Sequence, residues 1–140
     1  MRAIKLNKPG GLDNLKLADI DVVEPQCGEI RIRNHASSLN FHDYVVAIGL
    51  LPVDDGRIPM SDGAGVVEAV GAGVSEFQPG DKVMSCFFPH WADGRADKLE
   101  KISGVPGDNV DGFAAESVTM LASAFTLMPA GYTFEQAATL

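Results

Sequence analysis

The chain has 140 residues, two cysteines and a formal charge of −8, a size that suits one domain burying roughly two thirds of its unfolded surface. Hydrophobic residues at 46% and charged residues at 21% are ordinary globular values and exclude a disordered or fibrous chain. The acidic excess argues against nucleic acid or an anionic membrane as partner, because phosphate binding needs clustered Lys and Arg.

The opening MRAIKLNKPGG has no apolar signal core, and the longest apolar run, YVVAIGLLPV, is shorter than the roughly 20 residues that span a bilayer. A soluble, cytoplasmic protein is therefore expected. Residues 1–6 and LKLADIDVV read as two strands around the turn NKPGGLDN. Cys27 and Cys86 lie far apart in a chain without an export signal, so free thiols are expected. EIRIRNHAS alternates, with Ile30, Ile32, Asn34 and Ala36 on one face and Arg31, Arg33 and His35 on the other, as in a half-buried strand. In SLNFHDYVVAIG the period changes. Asn40 can cap, Asp43 follows three residues later and Gly49 suits the stop, which predicts a short helix.

PMSDGAGVVEAVGAGVSEFQPGDKV raises the question of a phosphate-cradling loop. That loop needs G-x-G-x-x-G between a strand and a helix. Here each near match ends in a carboxylate, Glu68 or Glu76, which would sit beside phosphate oxygens. Gly73, Pro79 and Gly80 also speak against a helix, where Pro and Gly cost about 3 and about 1 kcal/mol. The segment reads instead as a strand over Val66 to Val70, a turn at Gly71 to Gly73, a second turn at Pro79 to Asp81 and a strand beginning Lys82-Val83-Met84.

Beyond VMSCFF, residues 89–111 are irregular, and GFAAESVTMLASAFTLM reads as two short strands. AGYTFEQAATL has Thr133 as a cap and Gln136 three residues on, opening a helix that the chain does not finish. The expected fold class is mainly β (α+β) with short helices, in a piece of something longer.

With these elements in place, the chain resembles the N-terminal GroES-like catalytic domain of the medium-chain dehydrogenase/reductase superfamily, the alcohol dehydrogenase and quinone oxidoreductase group. The segments that carry the resemblance are MRAIKLNKPG, SSLNFHDYVVAIG, SDGAGVVEAVGAGVSEFQPGDKV, GFAAE and YTFEQAATL. It implies a partly open β-barrel over residues 1–127, with 128–140 as the start of a linker helix to a Rossmann cofactor-binding domain absent from this chain. It also implies NADPH or NADH as cofactor, bound mainly by that missing domain, a small carbonyl substrate such as a quinone, enone or aldehyde, and a homodimeric parent. The chain alone is expected to be inactive.

Zinc-bearing members of the family have cysteine at Asn40 and a histidine–glutamate pair at Ser61-Asp62. Asn40 and Ser61 are poor zinc ligands, and the region from Cys86 to Glu116 lacks the four clustered cysteines of the structural zinc lobe, so no metal is expected. In zinc-free relatives an asparagine at position 40 contacts substrate or nicotinamide; helix capping is its other reading. His42 falls at a proton-relay position, or is an exposed first-turn histidine. Ser61 borders the cleft or shapes a turn. Asn40, His42 and Ser61 are the catalytic candidates, as donors to a developing oxyanion. Phe41, Asp43 and Tyr44 are the candidates for cofactor contact. Asp43 also suits a helix N-terminus, and Tyr44 could donate to a carbonyl. Phe87, Phe88, His90 and Trp91 could line an apolar pocket or pack in the core. Two rivals stand beside the zinc-free reductase: a zinc-dependent alcohol dehydrogenase, and a GroES-like binding or assembly module without catalysis.

Overall fold

A computed structural model describes residues 1–140. In it β1 (Arg2–Leu6) and β2 (Leu15–Asp19) form a two-stranded antiparallel sheet. The other strands are β3 (Glu29–Ser38), β4 (Asp62–Val70), β5 (Lys82–Ser85), β6 (Ser117–Leu121) and β7 (Phe125–Leu127), and they pair antiparallel in the order β6-β3-β4-β5-β7. Two short helices, α1 (Phe41–Ala47) and α2 (Phe134–Ala137), complete the regular structure apart from three 3-10 turns.

The expected mainly β class with short helices is what forms. β6 and β7 lie on opposite edges of the five-stranded sheet, yet only Ala122–Ala124 separate them. Four residue steps span at most roughly 14 Å, whereas a flat five-stranded sheet holds its edges roughly 19 Å apart. The sheet must therefore curl. Its edges approach without pairing, which makes an open barrel. The concave face carries Ile30 and Ile32 of β3, Val67 of β4, Val83 of β5, Val118 of β6 and Phe125 of β7, closed off by Phe113.

The glycine-rich segment is strand and turn, as its sequence indicates, but β4 begins at Asp62, four residues before the expected Val66. Its glycines serve close backbone contact. A Cβ on Gly65 would lie 2.0 Å from the Arg33 carbonyl oxygen, and one on Gly71 would lie 1.7 Å from that of Gln26. Helix α1 starts after Asn40 and stops before Gly49, whose φ of 81° suits glycine. Thr133 and Gln136 form the expected capping box on α2: Gln136 N–H donates to Thr133 Oγ1 (3.3 Å) and Thr133 N–H to Gln136 Oε1 (2.9 Å). Phe134 then stacks on His35 of β3, with ring centroids 4.5 Å apart. Both cysteines are free, and no helix is long and apolar enough to cross a membrane.

Candidate functional site

The start of α1, the start of β4 and the end of β5 converge on one buried carboxylate. Asp43, 2% exposed, accepts from the Ser61 N–H through Oδ1 (2.8 Å) and from the Asn40 N–H through Oδ2 (2.8 Å). It thus ties the helix cap to the segment that leads into β4. Asn40 and Asp43 form a capping box, in which the Asn40 N–H donates to Asp43 Oδ2 while the Asp43 N–H faces the Asn40 side chain without a full hydrogen bond. The Asn40 side chain turns into the site, where Nδ2 donates to Ser61 Oγ (3.0 Å) and Asp62 Oδ2 (2.5 Å). From β5, the Ser85 hydroxyl donates to Asp62 Oδ1 (3.2 Å) and accepts from the Gly63 N–H (3.0 Å).

These contacts bear on two of the candidates, Asn40 and Ser61. Both amide hydrogens of Asn40 are committed, and its remaining polar atom, Oδ1, faces the Asp43 N–H and is an acceptor, suited to a hydroxyl or carboxamide and not to an oxyanion. Ser61 is fully buried behind Asn40. Its hydroxyl accepts from the Asn40 amide. The segment that carries it is also strained: Met60 has φ 79°, rare for a residue with a side chain. Its neighbours leave room for this conformation only because they are glycines. A Cβ on Gly112 would lie 2.1 Å from the Met60 carbonyl oxygen.

Burial holds the Asp62 carboxyl above its ordinary value, even though the hydrogen bonds from Asn40 and Ser85 favour its charged form. The β4–β5 register, with Ala64 opposite Met84, places Asp62 across from Cys86 when extended by two residues. Burial, and then the Asp62 charge, push the Cys86 thiol up.

His42 lies on α1 beside this cluster. Its Nε2 is buried without a hydrogen-bond partner, 3.8 Å from Asp108 Oδ2. Phe87 packs against the ring in a T-shaped arrangement at a centroid distance of 5.5 Å, and Phe88 and Trp91 continue the aromatic row. Those aromatic residues do not join the core. Phe41 is 79% exposed and Tyr44 46%, with ring centroids 6.1 Å apart. They form an exposed aromatic face on the outside of α1.

The structure thus groups Asn40, Asp43, Ser61 and His42, and leaves Phe41 and Tyr44 on the outside of the helix. Sequence reasoning missed Ser85 and Asp108. The first is visible only once the β4–β5 pairing is known, and the second only through a loop that returns to α1 from 66 residues away. At the zinc-matching positions the donors are an amide, a hydroxyl and a carboxylate, and no three His, Cys, Asp or Glu side chains gather to hold an ion. Zinc does not fit this donor set.

Residues 26–130 match the family described as the alcohol dehydrogenase GroES-like domain. A zinc-type alcohol dehydrogenase-like protein of Schizosaccharomyces pombe is 33% identical over the whole chain, which spans 41% of that protein. Among solved structures, an NAD-dependent alcohol dehydrogenase superposes with a TM-score of 0.87 at 33% identity, over the whole chain and 43% of its own length. Escherichia coli quinone oxidoreductase complexed with NADPH gives 0.77 at 25% identity, over 99% of this chain and 36% of that one. The chain spans less than half the length of each of these relatives.

Proposed function

The chain belongs to the alcohol dehydrogenase GroES-like domain family of the medium-chain dehydrogenase/reductase superfamily, and from that membership we propose that it is the catalytic domain of a zinc-free, NAD(P)H-dependent reductase of a quinone, enone or aldehyde. Residues 1–127 form that domain and 128–140 begin the link to a cofactor-binding domain, in a homodimeric parent. The observation that supports a zinc-free site is the Asn40 amide. At the position where metal-bearing relatives have a thiolate, it is cross-linked to Ser61 and Asp62 in a site built for hydrogen bonding.

Bound nicotinamide supplies the hydride. The residues of this chain do the rest. Phe41 and Tyr44 present an apolar face to the ring, and Asn40 Oδ1 accepts a hydrogen bond from a substrate or carboxamide donor. Charge then develops on the substrate oxygen. His42, whose Nδ1 keeps solvent contact, hydrogen-bonds that oxygen and delivers the proton that completes the reduction.

The test uses the intact protein after chelator treatment, following NADPH and NADH oxidation with a quinone, an enone and an aldehyde. Turnover without metal is expected, with kcat lowered by about 10²-fold in His42→Ala. Activity that vanishes on chelation and returns with one zinc per chain would establish the zinc-type reading, which the yeast relative's name favours. No turnover with any carbonyl would favour a non-catalytic module.

A further inference from the structure

The His42 imidazole is asymmetric. Nε2 is buried and has no hydrogen-bond partner, while Nδ1 makes no hydrogen bond within the chain and keeps solvent contact. A buried polar atom left unpaired is costly unless a partner is engaged in another state of the molecule. The group that faces it is Asp108, with Oδ2 at 3.8 Å and a side chain only 16% exposed. That distance is too long for a hydrogen bond but is an ion-pair separation when the imidazole is protonated, from which a small shift of either side chain closes the contact.

Asp108 is itself held in place. Its Oδ1 accepts from Asn109 Nδ2 (3.0 Å), whose Oδ1 in turn accepts from the Gly104 N–H (3.0 Å). Val105, Pro106 and Gly107 anchor the loop by burial, and the Gly107 N–H donates to the Val110 carbonyl (2.8 Å). Asp108 also lines an open cavity with Lys8, Arg57 and Asp54, in which Arg57 is already paired with Asp54 and Asp111. Asp62 of β4 is the other carboxylate whose charge interacts with His42, but it already accepts hydrogen bonds from Asn40 and Ser85.

We propose that Asp108 is the positioning partner of His42: it takes the Nε2–H of the imidazolium and aims Nδ1–H at the substrate oxygen. This rests on the reductase reading above. In the step, NAD(P)H is oxidised as its hydride forms a C–H bond on the substrate. The Nδ1–H bond of His42 breaks as the proton passes to the substrate oxygen, or to the α-carbon of an enolate. His42 is left as the neutral Nε2–H tautomer, still facing Asp108, and Nδ1 regains a proton from solvent after the product leaves. Asp108 stays a carboxylate throughout.

Two measurements test it. In 15N-edited imidazole spectra of the 140-residue chain at mildly acidic pH, the His42 Nε2–H should be protected from exchange. That signal should be lost in Asp108→Ala, while the signals of His35 and His90 stay unchanged and serve as internal controls for folding. In the intact protein, Asp108→Asn should lower kcat by about tenfold or more with KM little changed, and Asp108→Glu should recover part of the loss. A His42 signal unchanged in Asp108→Ala overturns the proposal, whatever the activity. A lost signal with unchanged kcat in Asp108→Asn also overturns it, because the pair is then structural. If the spectra change but the intact protein reduces no carbonyl, the reductase reading fails and the proton-delivery role fails with it, leaving only the ion pair.

Discussion

Asp43 accepts two backbone N–H groups from separate segments while almost wholly buried, an arrangement in which truncation strands both donors. Hydrogen bonds to a charged group contribute about 1.5–3 kcal/mol each, so Asp43→Ala should lose about 3 kcal/mol or more in urea unfolding and loosen the Ser61–Asn40 contact. Asp62 acts differently, through its charge. It is the second cause, after burial, that raises the Cys86 thiol, so Asp62→Asn should make Cys86 react faster with iodoacetamide and move its rate–pH curve to lower pH. Cys27→Ser is the background for that measurement, because Cys27 is exposed. An unmoved curve would mean that burial alone governs the thiol.

The pairing of β3 with β4 depends on glycines in a way that separates backbone from side-chain crowding. On Gly65 a Cβ meets the Arg33 carbonyl at 2.0 Å, whereas on Gly63 it meets the Phe113 ring at 2.3 Å. A ring can shift and a paired strand cannot, so Gly65→Ala should cost more than Gly63→Ala, which itself falls at about 1–3 kcal/mol; equal urea midpoints would contradict this. The same strands show what the sequence made legible. β3 was readable because Ile30 and Ile32 alternate with charged residues, and α1 because Asn40, Asp43 and Gly49 are local signals of helix ends. The start of β4 was hidden, since Met60, Ser61, Asp62 and Gly63 look like a turn, and the strained Met60 backbone is what delivers Asp62 into the strand. Ser85 and Asp108 were hidden for a second reason. Their partners, Asp62 and His42, lie 23 and 66 residues away, and only pairing and loop return bring them together. The direction of the Asn40 amide was also out of reach, because capping and site contact demand the same residue at the same position.

At the scale of the whole molecule, the charge of the site is linked to its stability. The Asp62 carboxyl is raised in the folded chain above its ordinary value of 3.8. Between that value and the raised one the folded chain binds more protons than the unfolded chain, so the stability contributed by Asp62 falls as pH rises through the window. Glu116, lowered by its hydrogen bonds from the Arg2 backbone and side chain, has the opposite sign: its contribution is present above 4.5 and lost on acidification. Being exposed, it is screened and weak. The urea midpoint of Asp62→Asn should therefore gain on that of the parent chain between pH 3.5 and pH 7; a constant difference would show that the charge carries no cost. The placement of β6 and β7 on opposite sheet edges has a consequence in time. β6 pairs with β3 and β7 with β5, so the short turn at Ala122–Ala124 can hold both strands in place only once β4 has joined β3 to β5; residues 117–127 are therefore expected to close over a sheet already formed, after long loops have been ordered. Shortening a side chain there, as in Val118→Ala, should mainly hasten unfolding, whereas Ile32→Ala at the centre of the sheet should slow refolding. Stopped-flow traces of the two variants that show the reverse would place the closing segment at the start of folding.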